Sequence, residues 1–226
     1  MAKFTKIIRK NTEIHLIKKL TSLLIAKIKN KKNKRFSLVL TGGKSPIKLY
    51  KYLAKNKNID WKNIDFFISD ERYVNEKSKY SNIRMCKKYL LNKIIISNNQ
   101  IYKVLTNKNS IQKSAMDYEK KIRKYFSKNK ICFDLTLLGI GKDGHIASLF
   151  KKNINKKTNK IVIFIKKNDF KRISLSLKCL NNSKSIFVWS PGKTKLNIIK
   201  KILMDKKFEY PASFLKKKNN ILFYSN

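Results

Sequence analysis

"DLTLLGIGKDGHIASLF", residues 134–150, is the stretch that decides the fold. With Phe133 before it, the run to Gly139 reads as one short, apolar strand. A strand apolar throughout belongs in a sheet covered by helices on both faces. The strand ends in three glycines, Gly139, Gly141 and Gly144, with Asp143 and His145 among them. In open α/β sheets the ligand crevice lies off the carboxyl ends of the strands. His145 therefore stands at the ligand edge, and Asp143 can hold its ring in one tautomer and leave the other nitrogen as a base. A capping or core histidine is the plainer alternative, and the glycine-rich strand end argues against it.

The same glycines match the dinucleotide fingerprint G-x-G-x-x-G. That reading fails on context. The helix that should follow is cut short by "KKNINKKTNK" from Lys151, and the next strand (160–165) carries no Asp or Glu at its tip for a ribose.

Working outward, strands and helices alternate. Residues 12–29 place Ile14, Ile17, Leu20, Leu24 and Ile28 near helical spacing. "RFSLVL" (35–40) is a strand that stops at "TGG", followed by a helix for which Ser45 is a cap and Pro46 the first position. "IDFFISD" (64–70) is a strand, 81–93 a helix capped by Ser81, and 110–126 a helix. Strands at 160–165, 172–177, 185–190 and 220–225 and a helix at 194–204 complete the chain. This pattern predicts an α/β fold: three layers, α/β/α and Rossmann-like, a mostly parallel sheet, one domain over residues 1–226. No Pro/Gly/Ser-rich linker divides it.

The crevice rule then selects two further loops. "TGGKSP" can turn backbone N–H groups inward at a helix N-terminus, where an anion is favoured. It lacks the spacing of a nucleotide P-loop, and a plain tight turn is its bland reading. "SDERYV" sets Asp70, Glu71 and Arg72 at a strand end. Arg72 suits a phosphate, a carboxylate or a developing oxyanion, against a surface ion pair as the alternative.

A formal net charge of +42 suggests nucleic acid, but only six of the 55 basic residues are Arg. Proteins that read phosphates and bases favour Arg for its bidentate fork. The Lys are spread along the whole chain, and Lys, Asn and Ile share AT-rich codons, so genome bias explains the charge without a nucleic-acid partner. In so Arg-poor a chain each remaining Arg is informative. Cys86, Cys132 and Cys179 are few, odd in number and far apart, which fits a reducing cytoplasm and neither a disulfide framework nor a zinc site. The two distant histidines add no metal cluster, and His15 falls on the Lys-rich side of its helix. There is no G-x-S-x-G elbow for a serine hydrolase. No apolar run approaches 18 residues, and "MAKFTKIIRKNTEIH" has neither the apolar core nor the cleavage site of a secretory signal.

"TGGKSP", "DERYV" with "SN" at 81–82, and "LLGIGKDGHIASLF", in this order, closely resemble the 6-phosphogluconolactonase family. "RISLS", "PGKTK" and "YPAS" are similar to its C-terminal half, so the resemblance spans roughly residues 37–215. Glucosamine-6-phosphate deaminases and isomerases share the fold and the "DGH" element. They typically carry Tyr after "DE" and Asn-Glu-Pro after the histidine, where this chain has Arg72 and "IASLF". The chain departs from the lactonase pattern at Lys44, usually Ser or Thr, and at Lys151, usually Pro.

The resemblance implies hydrolysis of 6-phospho-D-glucono-1,5-lactone, with His145 as general base, Asp143 orienting it and Arg72 at the oxyanion or a substrate anion. It implies substrate and phosphate contacts from Thr41, Gly42, Gly43, Lys44, Ser45, Asp70, Asn82, Arg172 and Lys195. It implies no cofactor, no metal, a small-molecule sugar-phosphate partner, no membrane, and a cytoplasmic monomer or homodimer. A sugar-phosphate isomerase or deaminase on the same fold is the nearest alternative, and a basic nucleic-acid-binding protein the more distant one.

Overall fold

Leu38 and Leu40 point to one side of their strand and Val39 to the other, yet none of the three is exposed. Phe66 and Phe67 repeat the pattern on the next strand. Leu38, Leu40 and Phe66 join one hydrophobic core, Val39 and Phe67 a second one across the sheet. This is the signature of a sheet buried on both faces. The computed structural model describes residues 4–31, 34–127, 130–154, 158–167, 169–216 and 220–226.

In chain order the elements are β1 (Lys6–Lys10), α1 (Glu13–Lys29), β2 (Phe36–Leu40), α2 (Ile47–Ala54), β3 (Ile64–Ile68), β4 (Asp70–Arg72), α3 (Asn82–Tyr89), β5 (Ile101–Tyr102) and α4 (Ile111–Phe126). Then follow β6 (Leu135–Gly139), α5 (Lys151–Ile154), β7 (Val162–Lys166), β8 (Lys171–Leu175), α6 (Leu177–Asn181), β9 (Ile186–Ser190), α7 (Leu196–Met204) and β10 (Asn220–Ser225). Seven strands form one parallel sheet in the order β1-β10-β9-β6-β2-β3-β5. Residues of α1, α2 and α3 line one core, and residues of α4 and α7 line the other. The chain runs from β2 to β3 and β5 on one side, and from β6 to β9 and β10 on the other. The reversal falls between β2 and β6, where ligand crevices form in such sheets.

The expected three-layer fold is present, with corrections. The strand expected over 64–70 is two strands. β3 ends at Ile68, and β4 leaves the parallel sheet to pair antiparallel with β8, which pairs with β7. Ser69 is the hinge: its N–H donates to Leu40 O of one sheet, and its carbonyl accepts from Leu175 N of the other. β7 and β8 are thus a hairpin outside the parallel sheet. Apolar composition does not distinguish these two destinations. β1, β5 and α6 had no counterpart in the sequence reading; β1 is a Lys-flanked edge strand with only Ile8 buried. On α1 the buried face is Leu16, Ile17, Leu20, Thr21 and Leu24, whereas Ile14 is exposed. Each fully buried Leu here contributes about 1.5–3 kcal/mol. α3 ends at Tyr89 and continues only as a short 3-10 turn over Leu91–Lys93. Between α5 and β8, residues 155–157 and 168 lie outside the described residues.

Candidate active site

The loops after β2 and β6 are neighbours because their strands pair. Gly139 N–H donates to Thr41 Oγ1 at 3.2 Å, and Thr41 is itself buried. The Tyr50 hydroxyl, fully buried, accepts from Thr41 N and donates to Thr41 O. Past this anchor the chain turns through Gly42 and Gly43, the latter at φ +83°, in the left-handed region that favours glycine. Among the described residues no acceptor takes the N–H of Gly42, Gly43, Lys44 or Ser45. The Lys44 side chain is exposed. Ser45 is not the expected cap: α2 starts at Ile47 with Pro46 at its N-cap and no side-chain cap bond. Ser45 is held instead through its carbonyl, which accepts from the indole N–H of buried Trp189 at 3.0 Å.

The loop after β6 curls so that Gly141 N–H donates to His145 O at 2.8 Å. This lays the imidazole against Gly141, where a Cβ would sit 2.0 Å from Nδ1. No residue but glycine fits under the ring. His145 Nδ1 lies 2.5 Å from Asp143 Oδ1. A carboxylate only accepts, so Nδ1 donates, and Nε2 is left as an acceptor. Burial pushes the Asp143 carboxyl up, but the charge and hydrogen bonds of His145 outweigh it and hold it below its usual range. The ring is about one-third exposed, with the Phe150 ring against it at 4.7 Å between centroids. Tyr210 packs on Gly144 from behind, and Ala212 N–H donates to Gly144 O.

The third loop supplies Arg72. One terminal nitrogen donates to Asn82 Oδ1 at 2.9 Å and to Tyr80 O at 3.0 Å. Among the described residues its buried Nε has no hydrogen-bond partner, and no carboxylate pairs with the guanidinium. Asn82 presses on the first loop, since a Cβ on Gly42 would lie 2.0 Å from its side chain. Arg72 is directly opposite Arg172 in the β4–β8 register, so both project from the same face. Like charges directly opposite are destabilising unless an anion stands between or beside them.

The remaining expected residues are placed as follows. Asp70 is buried and committed to Ser69 Oγ and Ser148 Oγ, which ties β4 to the His145 loop. Lys195 donates to Ile140 O at 2.8 Å. Burial and the charge of Lys142 hold its pKa down, against the opposing charge of Asp143. Arg172 is buried and stacks over Phe150 and Phe170. It is not a free ligand, because both terminal nitrogens reach Asp169 at 2.7 and 2.6 Å. The β7–β8 turn places that acid three residues away. The sequence reading passed over Ser148, Phe150, Trp189 and Tyr210. The first two stood in the "IASLF" run, whereas nothing local marks Trp189. His15 is exposed, as expected, with Nδ1 2.8 Å from Thr12 Oγ1. Among the described residues no three metal-ligating side chains cluster, and no helix is long and apolar enough to cross a membrane.

The His145 loop, the Arg72 strand end and the Thr41–Ser45 turn thus gather at one edge of a three-layer α/β/α sheet. The chain belongs to the glucosamine-6-phosphate isomerases/6-phosphogluconolactonase family, whose match covers residues 11–223. It is 34% identical over 200 residues to a 6-phosphogluconolactonase of Thermotoga maritima, covering 88% of this chain and 87% of the relative. The crystal structure of a 6-phosphogluconolactonase from that organism superposes with a TM-score of 0.86 at 30% identity, covering 98% of this chain and 99% of the other. A monomeric glucosamine-6-phosphate deaminase also superposes, with a TM-score of 0.80 at 20% identity, covering 97% of each chain. That likeness concerns the fold alone.

Proposed function

We propose that this chain hydrolyses 6-phospho-D-glucono-1,5-lactone to 6-phosphogluconate, the lactonase step of the oxidative pentose phosphate pathway. The observation that carries the reading is the His145–Asp143 pair just past the carboxyl end of β6, the strand end on which Thr41 is anchored, with no hydrogen bond to Nε2 among the described residues. Nε2 takes a proton from water as the water oxygen attacks the lactone carbonyl. The negative charge that develops on the carbonyl oxygen is met by Arg72, whose donors are not neutralised by a carboxylate. Collapse of the tetrahedral intermediate breaks the ring C–O bond, and the imidazolium returns its proton to the leaving ring oxygen. The unpartnered N–H groups at 42–45 and Lys195 receive the 6-phosphate. Asp143 keeps the tautomer. Ser148 and Asp70 hold the loops rather than the substrate.

Arg72 and "IASLF" stand where deaminases carry Tyr and Asn-Glu-Pro, which supports the lactonase over the deaminase reading. The enzyme acts on a small molecule in the cytoplasm. The test is a coupled assay in which glucose 6-phosphate is oxidised to the lactone and its loss is followed with and without the protein. Lactone loss well above spontaneous opening is expected. No acceleration, or ammonia release from glucosamine 6-phosphate instead, overturns the reading.

A further inference from the structure

Glu71 takes no part in this chemistry, yet it is one of the most deliberately satisfied groups in the molecule. It is 1% exposed. On β4 its side chain points away from the face that carries Asp70 and Arg72, toward the start of α3. One carboxylate oxygen accepts from Arg72 N at 2.8 Å and Asn82 N at 2.7 Å. The other accepts from Ile83 N at 2.8 Å and Ser81 Oγ at 3.2 Å. Asn82 and Ile83 are the first two residues of α3, and Ser81 Oγ accepts from Arg84 N. Two side chains thus take three of the N–H groups that a helix start leaves without partners. The positive end of the helix favours the carboxylate.

This clasp fixes Asn82 relative to β4. The Asn82 amide then bridges Asp70 O through Nδ2 at 2.7 Å and the Arg72 guanidinium through Oδ1 at 2.9 Å. We propose that Glu71 is a positioning residue for Arg72: its carboxylate, locked on the N-terminus of α3, sets Asn82 and through it the direction of the guanidinium into the site. The mechanistic part rests on the lactonase reading; the structural part does not.

The carboxylate form is the one that accepts four donors. Burial and, to a lesser extent, the charge of Asp70 outweigh the N–H groups of Asn82, Ile83 and Arg72 and leave the Glu71 carboxyl raised to about 7. The other titratable groups facing it, Cys86 of α3 and Tyr118 of α4, are held protonated by burial. Glu71→Gln retains the shape but turns an amide N–H₂ toward donors.

The chain has six arginines, so a ¹⁵N-labelled sample gives six Nε–H correlations, and Arg72 is the one lost in Arg72→Lys. In Glu71→Gln the Arg72 correlation is expected to shift and to exchange with water at least about tenfold faster, with the other five unchanged. An unmoved Arg72 signal overturns the proposal. In kinetics, Glu71→Gln is expected to lower kcat by about tenfold with KM within about threefold, and to add less than about twofold in an Arg72→Lys background. Losses that multiply in the double variant overturn it, since a merely structural residue would not act through Arg72. If the wild type lacks lactonase activity, the functional reading falls and the arginine spectrum still decides the positioning. If Glu71→Gln does not fold, Glu71→Asp keeps the charge but withdraws the carboxylate by one methylene, and the same spectrum is read with the same two outcomes.

Discussion

The two ends of the parallel sheet are built from the same strands and treat charge in opposite ways. At the amino ends, buried acids are saturated by bases. Asp65 on β3 takes a fork from Arg35, with Nε at 2.5 Å, and the Tyr125 hydroxyl at 3.0 Å. Asp134, just before β6, takes Lys31 at 2.6 Å, Lys184 at 2.9 Å and both N–H and hydroxyl of Ser37 at 3.0 Å. At the carboxyl ends Arg172 is taken by Asp169, but other donors have no carboxylate. Arg72 has no carboxylate and an unpartnered Nε, Lys195 rests on a carbonyl, and the N–H groups of 42–45 have no acceptor among the described residues. A buried charge left without a partner is costly, whereas a matched one consolidates the fold. The amino edge therefore spends its ionic contacts on stability, and on the proposed reading the carboxyl edge keeps donors for the substrate.

The largest expected break in this contrast is at His145. His145→Ala should lower lactone turnover by about 10²–10⁴-fold, the usual loss for a general base. The melting temperature should stay near wild type, because the ring is a third exposed and packs on a loop. Turnover close to wild type in the folded variant would remove His145 from the mechanism.

The opposite edge should respond in the opposite way. Asp134→Ala removes the carboxylate shared by Lys31, Lys184 and Ser37, and should cost about 2–4 kcal/mol of stability in urea denaturation, with turnover per folded molecule unchanged. Burial pushes the Asp134 carboxyl up, but Lys31, Ser37 and Lys184 together hold it below its usual range. A folded pKa below the unfolded one gives stability that is present above the unfolded value and lost as pH falls through the folded one. The stability of the wild type should therefore drop in acid below about pH 4, and the variant should lack that part of the slope.

A smaller effect is expected at Arg72. Arg72→Lys keeps the charge but loses the fork, and should reduce kcat/KM by at least about tenfold, roughly 1.4 kcal/mol of transition-state binding. Circular dichroism should show an intact fold. Equal activity would mean that the position supplies charge alone.

Smallest is Lys44→Ser, at an exposed side chain with no hydrogen bond or ion pair among the described residues. KM should change by less than about threefold, as an exposed, screened charge contributes little. A large rise would show that the Lys44 ammonium, rather than the backbone of the turn, holds the phosphate.

Much of the site was legible in the residues because its chemistry is local. Asp143 and His145 are two positions apart, Gly141 and Gly144 shape the same turn, and the strand before them is apolar throughout. The placement of Ser81 as the cap of α3 was readable for the same reason: a side chain and an N–H three residues on suffice. The Ser45 cap misled because Pro46 takes the N-cap itself and Trp189, far along the chain, claims the Ser45 carbonyl.

Sequence alone thus determined the alternation of strands and helices, the three loops at the carboxyl edge and the pairing of His145 with Asp143. Tertiary structure alone decided that β4, β7 and β8 form a separate antiparallel sheet, that Arg172 is taken by Asp169 while Arg72 is not, and that Glu71 fastens α3 behind the site. Hydrophobic period and turn chemistry act over a few residues and are written in order along the chain. Which strand pairs with which, and whether a buried charge meets a partner, depends on contacts between residues tens of positions apart, which the period of a sequence does not encode.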